Sequence, residues 1–252
     1  VRAHGIPLYV ENELKQRGAH IVDATCPKVK KAQLLIRKQA GYETDGFELI
    51  MWFHFTPNAL IVRNESPFQN LDDFIKYAKD NPAAATVGGS GTYSANHLEA
   101  LRLEREAGIK LTYVPHTGTG PVVPALLGGH LTAAMNYSML GVQYSDKTRT
   151  LAVASEERVE TLPDAPTFKE AGYDIVGGAF RGVAAPKGTP QDVIDILANA
   201  FSETNKIIAE KQRDLGFVMT YATGQEAYEL VNKMKAGYSG IFEDIAKQKG
   251  KK

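Results

Sequence analysis

Three glycines within four residues, Gly88, Gly89 and Gly91, constrain this chain more than any other feature. They stand in the stretch Thr86-Val-Gly-Gly-Ser-Gly-Thr-Tyr-Ser-Ala-Asn-His97, between a β-branched run and the helix-forming segment Leu98 to Glu106. That order reads as a strand, a glycine-rich turn and a helix N-terminus. The first N–H groups of a helix have no intrahelical acceptor, and the helix dipole adds positive potential there. With the Ser90, Thr92 and Ser94 hydroxyls beside them, such donors suit a carboxylate or phosphate. The candidate anion loop is Gly89, Ser90, Gly91, Thr92, Tyr93 and Ser94, with Tyr93 as a lid and His97 in the first helical turn. An ordinary strand-to-helix turn capped by Ser94 would have the same pattern, and both readings stand at this point.

Any attraction for anions has to be local. Lys plus Arg and Asp plus Glu each number 29, so the formal charge is zero, which gives no reason to expect nucleic acid as a partner. No apolar run approaches the roughly 20 residues of a membrane span. Val1 to Pro7 lacks the basic start and apolar stretch of a secretory signal. Cys26 is the single cysteine, so no internal disulfide is expected.

The first residues differ in character from the rest. Leu8 to Arg17 reads as a helix, Ile21-Val22 as a short strand and Lys28 to Lys38 as a basic helix. The runs Ala3-His4-Gly5 and Asp23-Ala-Thr-Cys-Pro-Lys-Val29 resemble 4-hydroxy-3-methylbut-2-enyl diphosphate reductase, an iron–sulfur enzyme. The resemblance implies a cluster-ligand position at Cys26 and a diphosphate contact at His4. One thiol does not hold a cluster, so no cofactor is expected here and the Cys26 position is vestigial. Gly41, Asp45 and Gly46 then mark a junction.

Beyond it, Phe47 to Phe55 is a dense apolar and aromatic run that suits buried core. Strands are expected at 58–63, 84–88, 110–114, 131–135, 150–154, 173–176 and 181–184. Helices are expected at 71–79 with Asn70 as N-cap, ahead of Gly128, before Gly172, at 193–207 and at 224–249 with a break near Gly237. Pro115-His-Thr-Gly-Thr-Gly-Pro121 is a second glycine-and-hydroxyl turn, and Asn136-Tyr-Ser138 closes a further strand. Ligands of α/β proteins sit at the strand ends on one edge of a parallel sheet. His116, Thr117, Gly118 and Asn136 therefore join the candidate wall, and Gly177-Gly178 is a crossover between lobes with Arg181 just beyond it. No nucleophile, base and orienter occur together at readable spacing, so no catalytic residue is assigned.

From Phe47 onward, several motifs occur in one order: Pro57-Asn-Ala-Leu-Ile-Val62, the glycine loop ending in His97, Val114-Pro-His-Thr-Gly118, Ala125-Leu-Leu-Gly-Gly129, Leu162-Pro-Asp-Ala-Pro-Thr167 and Ala184-Ala-Pro-Lys-Gly-Thr-Pro190. This order resembles the solute-binding receptors of tripartite tricarboxylate transporters. The resemblance implies a periplasmic, two-lobed α/β fold that closes on a small di- or tricarboxylate or an acidic amino acid without chemistry, and membrane transporter subunits as partners. It also implies that Gly89 to Ser94 holds one carboxylate while Pro115 to Gly118 and Asn136 form the adjacent wall. Many members carry Asp near Asn136, and Asn removes a like charge from a second carboxylate. The expected organisation is 1–46 as the reductase-like piece and junction, 47–178 as a complete ligand-binding lobe, and 179–252 as the C-terminal segment of a second, truncated lobe. The competing expectations are a reductase fragment and an inactive hybrid.

Overall fold

The computed structural model describes residues 47–249. The expected elements at 8–17, 21–22 and 28–38, with His4 and Cys26, lie outside the described residues. In chain order the elements are β1 (Phe47–Arg63), α1 (Leu71–Asp80), β2 (Thr86–Ser90), α2 (Ala95–Ala107), β3 (Thr112–His116), α3 (Val122–Leu127), β4 (Ala133–Tyr137), α4 (Ser138–Gln143), β5 (Thr148–Val153), β6 (Gly178–Pro186), α5 (Gln191–Asp214), β7 (Val218–Thr223) and α6 (Gly224–Lys249).

The two apolar runs at 47–55 and 58–63 are one strand of 17 residues. Its C-terminal part pairs antiparallel with β4 and β5, and its N-terminal part pairs antiparallel with β6 and β7. The change of partners falls at Pro57–Asn58. Phe47 to Pro57 therefore belongs with the sheet of the C-terminal segment, and strand pairing cuts across the expected boundary at residue 178. Proline lacks an N–H and asparagine can bond sideways, which suits a point where the ladder changes hands.

Strands β2, β3 and β4 run parallel to one another, in the order β3-β2-β4, and β1 runs against them. Residues 59–62 of β1 are buried without alternation. Leu60, Val62 and Met135 pack with Phe74 of α1 and Leu103 of α2 on one face, while Ala59, Ile61 and Ala134 pack with Leu126 of α3 and Leu140 of α4 on the other. A strand covered by helices on both faces has no reason to alternate, so its sequence is a continuous apolar run.

The observed β2, β3 and β4 each lie two residues C-terminal of the expected strands. A shift of two preserves which side chains share a face, so the core assignment survives. Its consequence is local: Gly88 and Gly89 are strand residues, and Ser90, His116 and Asn136 sit at or next to strand ends instead of in loops. Residues 173–176 form no strand. The helix expected before Gly172 is a turn, closed by Thr167 N–H donating to Glu170 Oε2 at 2.7 Å and Glu170 N–H to Thr167 Oγ1 at 3.0 Å. Helix α6 continues through Gly237, and β7 has no counterpart among the expected elements.

Candidate ligand-binding site

The parallel strands bring Ser90, His116 and Asn136 to one edge, as the spacing of their motifs anticipates. At the β2–α2 connection most polar groups are already engaged inside the protein. Ser94 caps α2, its hydroxyl accepting from His97 N–H at 3.3 Å and donating to the Ser90 carbonyl oxygen. Asn96 Oδ1 accepts from Ser90 N–H at 3.2 Å and from the Ser90 hydroxyl at 2.5 Å. Gly91 N–H donates to the His116 carbonyl at 2.8 Å, and the Tyr113 hydroxyl donates to the Ser90 carbonyl at 2.9 Å. His97 Nδ1 accepts from Tyr93 N–H at 2.9 Å, and its ring lies between those of Tyr93 and Tyr113, stacked on the latter at 4.2 Å.

Gly89 is occupied in another sense. A Cβ there would collide with the Tyr113 hydroxyl and come within 2.8 Å of the Met135 carbonyl oxygen, so its lack of a side chain admits protein neighbours. Gly91 (φ 26°) and Tyr93 (φ 60°) are the residues that turn the chain. The amides of Thr92, Ala95 and Asn96 remain as donors of the connection that no described residue accepts from. The Thr92 hydroxyl stands exposed beside them.

At the neighbouring strand end, His116 Nδ1 donates to the Val114 carbonyl at 3.0 Å. Thr117 is exposed and Gly118 opens onto empty space. Asn136 is 1% exposed; its Oδ1 accepts from Tyr137 N–H at 2.8 Å, and its Nδ2 is buried with no partner. Arg181, on β6, places its guanidinium over the rings of Tyr137 and Phe217, 5.8 Å from each centroid, and donates to Thr56 Oγ1 at 2.6 Å. Burial raises the Tyr137 pKa, with Arg181 opposing, and burial also raises that of Tyr113.

Behind this edge lies a buried network that sequence reasoning did not single out. Asn96 Nδ2 donates to Asn58 Oδ1 at 2.7 Å, Asn58 Nδ2 donates to the Ala95 carbonyl at 3.2 Å, and Asn58 N–H donates to Gly177 at 2.9 Å. Three residues further along α2, Glu99 is fully buried and accepts from the Tyr238 hydroxyl of α6 at 2.6 Å. Arg102 donates to the Val176 and Asp174 carbonyls at 2.8 and 2.7 Å. Burial lifts the Glu99 pKa above the usual carboxylate range, against the pull of Arg102. A Cβ on Gly177 would collide with Glu99 Oε1, so the expected crossover glycine is required here by contact. A lone polar residue opening the apolar run 59–62 was the available signal for Asn58. Nothing local marks Glu99 or Tyr238, which are 139 residues apart.

Among the described residues, no three His, Cys, Asp or Glu side chains are placed to hold a metal ion, and no helix is long and apolar enough to cross a membrane.

Two groups of strands joined through one long strand, each flanked by helices, are the architecture of two-lobed solute-binding proteins. The model of the tripartite tricarboxylate transporter family receptor, TctC, matches residues 31–246, and the chain belongs to that family. A UPF0065 protein of Cupriavidus necator is 30% identical over 184 residues, 70% of this chain and 56% of that protein. The chain thus spans about half the length of the curated relatives it matches. The crystal structure of a TctC solute-binding protein from Polaromonas superposes with a TM-score of 0.71 at 28% identity, covering 84% of this chain and 75% of that one. MatC of Rhodopseudomonas palustris, solved with bound malate, gives 0.66 at 27%, covering 82% and 72%. The family and its solved members are solute-binding proteins and not enzymes. Residues 1–52 match the LytB protein model, and a 4-hydroxy-3-methylbut-2-enyl diphosphate reductase of Nitratidesulfovibrio vulgaris is 61% identical over 41 residues, 16% of this chain and 15% of that enzyme.

Proposed function

We propose that this chain captures a small carboxylate at the edge formed by the β2–α2 connection, the end of β3 and the end of β4, and hands it unchanged to the membrane subunits of a tripartite transporter in the periplasm. The observation that carries this reading is Asn136. An amide donor that is 99% buried and lacks a protein acceptor is rare, because an unmade hydrogen bond in the interior costs about 1–3 kcal/mol. A bound carboxylate oxygen supplies the missing acceptor. The amides of Thr92, Ala95 and Asn96 and the hydroxyls of Thr92 and Thr117 supply the remaining donors, at a helix N-terminus whose dipole favours negative charge. Ser90, Ser94, Gly89 and Gly91 shape this connection through bonds and packing within the protein, and His97 fixes Tyr93 by accepting from its N–H through Nδ1. Gly118 leaves the His116–Thr117 turn open to the ligand. The malate in MatC supports a carboxylate of this size.

The reductase-like residues do not change this reading, since Cys26 is the only thiol of the chain and an iron–sulfur cluster takes several.

Trp52, the only tryptophan, lies in the sheet of β6 and β7, 5.9 Å from Phe180. Its fluorescence reports on movement of that sheet. Titration with malate, succinate, adipate, citrate and glutamate is expected to give a saturable change with at least one. No change with any of them, together with no retention in equilibrium dialysis, would remove the receptor reading.

A further inference from the structure

Arg181 is a half-buried cation with donors that no described residue accepts from. Its one hydrogen bond goes to a neutral group, Thr56 Oγ1 at 2.6 Å, although a guanidinium carries five N–H donors. No described carboxylate pairs with it. Arg102, by contrast, bonds Glu99 and two carbonyls, and Arg158 bonds both oxygens of Glu170 and the Pro163 carbonyl. Taking a charge out of water without a counter-ion is costly, and the cost is offset when an anion arrives.

Its placement says where that anion would sit. Arg181 stands opposite His54 on β1, within the sheet N-terminal to the Pro57–Asn58 change of partners, yet its guanidinium lies over Tyr137, the last residue of β4 in the other sheet. It therefore reaches across the line between the two sheets to the edge that carries Asn136. With its Cζ over the Tyr137 and Phe217 rings and one donor on Thr56, the guanidinium keeps further N–H donors, and such a fork can hold a carboxylate with two parallel bonds.

We propose that Arg181 pairs with a second carboxylate of the ligand, and that it makes the site select molecules with two anionic ends over those with one. This rests on the carboxylate-receptor reading and adds to it a residue that discriminates. The register Val87↔Ala133, Gly88↔Ala134, extended by two residues, sets Ser90 next to Asn136 on the neighbouring strand, about 4.8 Å away at the usual strand spacing. Arg181 lies beyond Tyr137 by a further 5.8 Å to the ring centroid. The ligand this implies carries one carboxylate at the α2 N-terminus and a second, joined to it by a carbon chain, at Arg181.

The test uses isothermal titration of the full chain with succinate, glutarate and adipate, each against its own half-amide, which keeps length and shape and loses one charge. In the wild type the best dicarboxylate should bind about ten- to hundredfold tighter than its half-amide, the range of a hydrogen bond to a charged group. R181Q should bring that ratio close to one, and because the ratio is taken within each variant, a change common to both ligands cancels. R181K, which keeps the charge but not the planar fork, should retain part of the ratio, and it carries the test if R181Q does not fold. A ratio in R181Q or R181K equal to that of the wild type overturns the assignment. So does a wild type that binds half-amides as tightly as dicarboxylates, which would leave the receptor reading standing. A wild type that binds none of the six overturns both.

Discussion

A Cβ at position 89 would meet the Tyr113 hydroxyl, the Met135 carbonyl oxygen at 2.8 Å and Asn96 Cβ at 3.0 Å. Two of these are fixed by the sheet and by α2, so neither yields easily. G89A is expected to lower the unfolding free energy by about 1–3 kcal/mol, the usual cost of forcing atoms into a filled site, measured by urea denaturation. A variant as stable as the wild type would mean that the connection has more slack than these distances allow. Asn136 tests the opposite property, an interior group with too few partners. N136D replaces the unpartnered amide donor by a negative charge facing the ligand's own, and is expected to weaken carboxylate binding at least about tenfold by titration calorimetry. Equal affinity would show that the Nδ2 group does not reach the ligand. At this scale the hydroxyls and the histidine of the β2–α2 connection were legible from the sequence, and their partners inside the protein were not: Ser90 bonds Asn96, Ser94 caps α2 and His97 Nδ1 accepts from Tyr93 N–H.

Between elements, the contact of α2 with α6 decides how the ligand edge is held. Leu98, Tyr238 and Ile241 form a small apolar cluster there, with the Glu99–Tyr238 hydrogen bond beside it. Y238F deletes the hydroxyl and strips Glu99 Oε1 of its shortest partner, while Oε2 already has none. The expected loss is about 1–3 kcal/mol for a buried acceptor left unmade. The pH dependence follows from two buried groups. Folded Glu99 keeps its proton to higher pH than in the unfolded chain, so its contribution is present in acid and is lost as pH rises from about 4.5 through the folded value. His54 is depressed by burial and then by Arg181, so stability is held above about 6.5 and falls as pH drops below that. Urea denaturation across the pH range should therefore show a maximum, and E99Q should flatten its alkaline side alone. An alkaline limb unchanged in E99Q would assign that loss to another group. Element positions were legible from glycines, caps and apolar runs: Asn70 and Ser94 cap as expected, and Gly108 ends α2 with φ 64°. β7 was not legible, because residues 218–223 alternate no more clearly than the loops around them and pair only with the distant β1.

On the scale of the whole described chain, β1 is the part on which the rest depends. It is the one strand that pairs in both sheets, so rotation of one sheet against the other has to pass through Pro57–Asn58 and the Gly177–Gly178 step beside it. No single-residue pattern announces a strand of this kind, since its two halves differ in composition and read as separate runs. The α5 helix shows a second large-scale property, with Ile196 67% and Ile207 83% exposed. Exposed aliphatic side chains on one helix favour self-association. Light scattering of I196K/I207K is expected to show less concentration-dependent association than the wild type, with an unchanged melt. Equal association would place the sticky surface elsewhere.

The most direct measurement of the central claim is a thermal melt of the chain with and without saturating malate, succinate or adipate. A ligand that binds only the folded state raises its stability by about 2.7 kcal/mol at a hundredfold excess over Kd. The account predicts one cooperative transition that moves upward and saturates with at least one dicarboxylate, and moves less in R181Q. A cooperative transition that no carboxylate shifts would contradict it.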